Sequence, residues 1–212
     1  MNIQKDFLSI NKYSRPGRKL TAVKGLVIHW VANPNTSAKG NRNYFESLKN
    51  AAGGERWAST QYIVGLQGEI LYMIPENEMA YHVGSTWYSE RAKRELGSYP
   101  NATTLGIECC HTDWNGKMTD ATWQNLVLLS ADILRRHGLN ESNLWRHYDI
   151  TGKDCHRWFV KNPDEWDRFR GDVARALGRE GVSMAGFTPV IAGIGSAMLL
   201  STFFLTNGAG VV

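Results

Sequence analysis

The stretch RHYDITGKDC, residues 146–155, sets His147 eight positions ahead of Cys155, with a Thr-Gly turn and Lys153 between them. Neutral imidazole and thiolate are both good zinc donors, and a loop of this length lets the two converge on one ion. Two donors do not make a site, so a third must come from elsewhere in the chain. His29 ends an apolar run, VKGLVIHWV (23–31), beside the loop WVANPN, where α/β domains usually project ligands. A hydrogen-bonded core histidine is the competing reading of that residue. His137 falls in the last turn of a helical pattern, where a cation complements the helix dipole, and reads as structural. His111 enters the polar turn HTDWNGK and reads as a solvated loop residue.

The elements that must hold these groups are legible in outline. The chain has 212 residues, 42% of them hydrophobic, enough to bury one sizeable core and too few for two full domains. Short β-rich runs alternate with helical patterns, as in a mixed α/β domain. VKGLVIHWV reads as a buried strand, NYFESLKNA (43–51) as a helix, and STQYIVGLQGEILYMIP (59–75) as two strands around a Gln-Gly turn. TTLGIECC (103–110) is a further strand, and it carries an acid, Glu108, among apolar neighbours. From pattern alone that acid is either surface-facing or functional. Thr119 caps a helix that runs through TWQNLVLLSADILRRHG and stops at Gly138, with Trp123, Leu126, Val127, Ser130, Ile133 and Leu134 on one stripe. A last helix follows Pro163.

The net charge of +4 is mild, and basic residues are interleaved with acids, which argues against a nucleic-acid partner. Three cysteines, with Cys109 and Cys110 adjacent, cannot build a disulfide framework, so Cys155 is free to be a ligand. The N-terminal segment MNIQKDFLSINKYSRPGRKL has no continuous apolar h-region, and synthesis in the cytoplasm without a signal peptide is the expectation.

VIHW, STQYIV, MAYHVGS, TLGIECC and RHYDITGKDC stand in an order and at separations that resemble the family-2 N-acetylmuramoyl-L-alanine amidases. These are zinc enzymes related to peptidoglycan recognition proteins and common as phage endolysins and bacterial autolysins. The resemblance covers residues 20–177, and it implies an α/β fold with a single mixed β-sheet flanked by helices. Carried over by motif, the zinc ligands fall on His29, His147 and Cys155, the catalytic glutamate on Glu108 and the transition-state-stabilising lysine on Lys153. His82, in MAYHVGS, falls on a loop that lines the family's substrate groove, and Trp30 is placed to stack on substrate or to pack in the core.

The reaction so implied is hydrolysis of the amide between N-acetylmuramic acid and L-alanine in peptidoglycan, by a monomer, with cell-wall lysis as the outcome. The alternative within the same fold is a peptidoglycan-binding protein without catalysis. Two departures from the family pattern stand out. Members usually carry proline after the cysteine, where this chain has His156, and many carry an aromatic residue and a histidine where this chain has Thr60 and Gln61.

Residues 181–212 contain no charged residue, which divides the chain into a catalytic domain, 1–180, and an apolar tail, 181–212. Within the tail, FTPVIAGIGSAMLLSTFFL (187–205) is nineteen residues long, about the length that spans a bilayer's hydrocarbon core. Arg168, Arg170, Arg175 and Arg179 precede it, so a transmembrane reading keeps the catalytic domain cytoplasmic. A buried helix or a disordered extension is the other reading of the tail.

Overall fold

The computed structural model describes residues 1–51 and 54–178. The apolar tail 181–212, its boundary near 180 and the candidate span 187–205 lie outside those residues. Among the described residues no helix is long and apolar enough to cross a membrane.

Six strands form one mixed sheet: β1 (Ile3–Lys5), β2 (Gly25–Trp30), β3 (Tyr62–Val64), β4 (Ile70–Tyr72), β5 (Thr104–Cys109) and β6 (Leu144–Arg146), in the order β1-β4-β3-β5-β2-β6. Among the described residues, β3–β4 is the one antiparallel pairing between strands of the sheet. β2 and β5 sit in the middle and are covered on both faces, which is why their sequences read as near-continuous apolar runs. Among the described residues, six α-helices flank the sheet: α1 (Ala38–Ser47), α2 (Glu90–Leu96), α3 (Asp120–Arg136), α4 (His147–Thr151), α5 (Arg157–Lys161) and α6 (Pro163–Gly178).

Strand alternation sorts the side chains between two faces. Leu26, Ile28, Tyr62, Val64, Leu105, Ile107 and Cys109 form the main core with Leu126, Ile133 and Leu134 of α3 and Phe169 and Val173 of α6. On the other face, Ile63 and Leu71 pack with Ala38 and Phe45 of α1, whereas Val27 and Trp145 pack with Ala92 and Leu96 of α2 and Ile150 of α4. Between these two apolar clusters the centre of that face is polar. Gly106 and Glu108 of β5 and His29 of β2 occupy it, because they alternate with the residues of the main core.

The long helices follow their expected signals. Thr119 Oγ1 accepts the Thr122 N–H at 3.0 Å to open α3, and Gly138, at φ +65°, takes the left-handed conformation that lets the chain leave the helix. The helix expected over 43–51 begins earlier, at Ala38, because the Ser37 hydroxyl caps it by accepting the Gly40 N–H at 3.0 Å. The short elements β1, α2, α4 and α5 give no long apolar period and were not visible in the sequence.

Phe159, on α5, joins this packing to the loop that carries Cys155. Its ring is fully buried against Trp123, Trp166 and Phe169, with centroids 5.8, 5.2 and 5.3 Å away. Phe159→Ala is therefore expected to cost about 3–5 kcal/mol of stability, read as a lowered urea midpoint at unchanged slope. A cost below about 1 kcal/mol would show that the aromatic cluster is not a structural anchor.

Candidate metal centre and active site

The eight-residue spacing from His147 to Cys155 is resolved by one helical turn and a reversal. Asp149 accepts the Arg146 N–H at 3.0 Å and pairs with the Arg146 guanidinium at 2.6 Å, which pins the start of α4. Gly152, at φ +76°, ends α4 in the left-handed region and donates its N–H to Tyr148 O at 2.8 Å. The chain then returns, so that the Tyr148 N–H donates to Cys155 O at 2.8 Å. His147 and Cys155 are thereby held side by side, both buried.

β2 and β5 supply the rest. In their parallel pairing His29 stands directly beside Glu108. The ligating atoms of His29, His147 and Cys155 all lie within 4.8 Å of one another. His29 Nδ1 is 3.5 Å from Cys155 Sγ. Two donors on a tetrahedral zinc, at about 2.3 Å for sulfur and 2.0–2.1 Å for nitrogen, are separated by about 3.6 Å. His147 Nδ1 and Glu108 Oε2 are buried with no hydrogen-bond partner. Orphaned polar atoms of this kind cost roughly 1–3 kcal/mol each, so the cluster is incomplete as a purely protein structure. Two imidazoles and a thiolate suit zinc, and the residues present fit it.

The electrostatics follow from burial. It holds His29 well below the usual imidazole range and brings His147 down to about 3, so both rings are neutral and able to ligate. Burial also pushes the Cys155 thiol far above its usual range, so a cation that binds there must displace its proton. Glu108 is pushed up to about 8 by the same desolvation, against the opposing pull of the Lys153 ammonium.

The centre opens onto a groove of roughly 1020 Å³. Lys153 is exposed at its rim, while Trp30 is buried beneath the Arg157 guanidinium, 4.7 Å from its ring, and packs on His111. The reading of His111 as a solvated loop residue is corrected here. His111 is fully buried, its Nδ1–H donates to Asp113 O at 2.7 Å, and its Nε2 accepts the Asn33 N–H at 3.3 Å. It closes the turn from inside.

His137 matches its structural reading, with Nε2 2.8 Å from Glu76. His82 lines the groove, and its ring nitrogens face His29 at 3.0 Å and Thr104. Of the two departures from the family pattern, Gln61 is internal: its Oε1 accepts the Gly106 N–H at 2.8 Å and its Nε2 donates to Glu78 O at 3.0 Å. His156 is fully buried on Phe159 with both ring nitrogens unpartnered. The groove walls also carry Arg18, Tyr44, Arg56, Trp57, Tyr81 and Tyr99, which the sequence did not single out. Tyr44 lies on α1 and the others on irregular segments between elements, and they share no spacing that would mark them.

A buried sulfur-and-nitrogen donor set, open to a groove and flanked by a carboxylate, has the residue types that a mononuclear metallohydrolase requires. The family model described as N-acetylmuramoyl-L-alanine amidase matches residues 19–158, and the chain belongs to that family. A probable N-acetylmuramoyl-L-alanine amidase of Bacillus licheniformis is 37% identical over 180 residues, which is 85% of this chain and 49% of that protein. N-acetylmuramoyl-L-alanine amidase CwlL of the same species is 36% identical over 187 residues, 86% of this chain and 49% of that protein. The chain thus spans about half the length of the curated relatives it matches. The PlyG catalytic domain in solution has the same fold, with a TM-score of 0.66 at 18% identity over 89% of this chain and all of that one.

Burial of neutral imidazoles makes the metal-free protein acid-sensitive. His29, His82, His147 and His156 are all depressed by burial, the last three to about 4, 3 and 3. Below about pH 6.5 the unfolded chain takes up protons that the folded chain refuses, so stability is complete above that pH and is lost as pH falls. Each group contributes up to about 1.4 kcal/mol per pH unit, and four together rival a whole domain's stability within two units. The metal-free protein is expected to unfold between about pH 6.5 and 4.5 in a circular-dichroism titration. A native signal persisting to pH 4 would contradict this.

Proposed function

We propose that the chain hydrolyses the amide between the lactyl group of N-acetylmuramic acid and the first L-alanine of the peptidoglycan stem peptide. The observation that carries the proposal is the convergence of His29, His147 and Cys155 next to Glu108 at the base of an open groove. Family membership supplies the substrate class, since the relatives are named for this bond.

His29, His147 and Cys155 are the zinc ligands in this proposal. Zinc held by such a set supplies a Lewis acid for the amide carbonyl and activates water near neutral pH. Glu108 is the general base and then the general acid. Its Oε2 takes the proton of the attacking water and returns it to the leaving nitrogen. A carboxyl raised towards neutrality suits both halves of that cycle. Lys153, at the rim, offers an ammonium to the charge that develops on the carbonyl oxygen. Trp30 forms part of the groove wall and helps shape the substrate path.

Other parts of the proposal rest on the sequence alone. Residues 1–180 form the catalytic domain, which acts as a monomer on the cell wall, and the uncharged stretch 187–205 tethers it to a membrane.

Mass spectrometry of muropeptides from purified walls tests the proposal. Free L-alanine amino groups are expected without new reducing sugar ends. Glu108→Gln should keep its fold and its zinc yet lower turnover by roughly 10²–10⁴. New reducing ends would identify a glycosidase, wall binding without product would identify a receptor, and near-normal turnover in Glu108→Gln would remove the carboxylate from the chemistry.

A further inference from the structure

We propose that His82 is a positioning residue for the metal centre, fixing through Thr104 the tautomer in which His29 ligates by Nδ1. The inference rests on the zinc reading of the site. It follows from donor and acceptor arithmetic along one buried chain of hydrogen bonds.

Thr104 starts it. Its hydroxyl donates to Pro100 O at 2.7 Å, so Thr104 Oγ1 has no proton left to offer His82. His82 Nε2 lies 3.2 Å from that Oγ1 and 3.3 Å from Thr104 O. Both neighbours can only accept, so the proton of the His82 ring sits on Nε2 and Nδ1 is left with a lone pair. His82 Nδ1 faces His29 Nε2 at 3.0 Å. His29 must therefore be the donor there, with its proton on Nε2. Its Nδ1 then carries the lone pair, and this is the atom that stands 3.5 Å from Cys155 Sγ.

The surroundings hold His82 in that pose. Asn101 Oδ1 accepts the N–H groups of His82 and Val83 at 3.1 and 2.9 Å, which fixes the backbone. On the sheet side the ring lies over Gly106, where a Cβ would come within 2.9 Å of His82 Nδ1. Only glycine leaves room for the imidazole between β5 and His29. The family resemblance implied a place for His82 in the substrate groove, which it lines; with both ring nitrogens engaged inside the protein, its influence on the reaction runs through His29. An outer partner that fixes a ligand's tautomer and orientation is typically worth 10–100-fold in metal affinity.

The test is zinc affinity by chelator competition on the full chain. His82→Phe keeps a ring and removes the acceptor, and it should weaken zinc binding by roughly 10–100-fold. His82→Asn places Oδ1 near the lost Nδ1 and should recover most of that loss. His82→Phe binding zinc as tightly as wild type would overturn the inference, and so would an equal loss in both variants, which would reduce His82 to packing. If His82→Phe does not fold, the ring ¹⁵N signals of zinc-loaded wild type decide. Metal at Nδ1 of His29 with protons on Nε2 of His29 and His82 supports the inference, whereas metal at Nε2 of His29 overturns it. A wild type that binds no zinc would overturn the metal reading of the proposed function itself.

Discussion

The parallel pairing of β2 with β5 is the constraint on which the rest of the structure depends. It sets His29 against Glu108 and, by strand alternation, sends both to the polar centre of one sheet face while Ile28 and Ile107 go to the main core on the other. A slip of one residue would exchange these sets, placing imidazole and carboxylate against the aromatic packing of α5 and α6. Burial of the apolar face therefore specifies the geometry of the polar one. The site inherits its precision from the hydrophobic core rather than from its own hydrogen bonds.

That arrangement leaves an electrostatic debt at the centre of the fold. Two neutral imidazoles, a protonated thiol and a carboxyl pushed towards neutrality are enclosed together, and His147 Nδ1 and Glu108 Oε2 lack partners. A divalent cation reverses each of these penalties, because it takes the imidazole lone pairs and favours the thiolate and the carboxylate. A metal bound at this cluster would therefore favour the folded state. In the loop 146–155, Asp149, Gly152 and the Tyr148–Cys155 hydrogen bond hold His147 and Cys155 side by side.

Much of this was legible in the sequence, for identifiable reasons. β2, β5, α3 and α6 announce themselves because each buries a long apolar stripe or carries a cap, as Thr119 does. Of the three clustered residues, His147 and Cys155 stood out by their types and eight-residue spacing, whereas His29 was reached through the family resemblance, because a buried histidine at a strand end reads equally as core. His111 was misread, since a polar turn around it suggested solvent; its burial depends on Trp30 and Arg157, far away in the chain. The tautomer chain from Thr104 to His29 has no sequence period, as its members meet only when β5, β2 and the loop after β4 are assembled. The groove aromatics were hidden for the same reason.

The central claim is that His29, His147 and Cys155 hold one zinc, with a position left for water. X-ray absorption at the zinc edge of the purified, metal-loaded chain measures this directly. The proposed site predicts one zinc per chain, one sulfur at about 2.3 Å and nitrogen or oxygen neighbours at about 2.0–2.1 Å, two of them imidazole. A shell without sulfur, a shell with two or more sulfurs, or a chain that retains no zinc would contradict it.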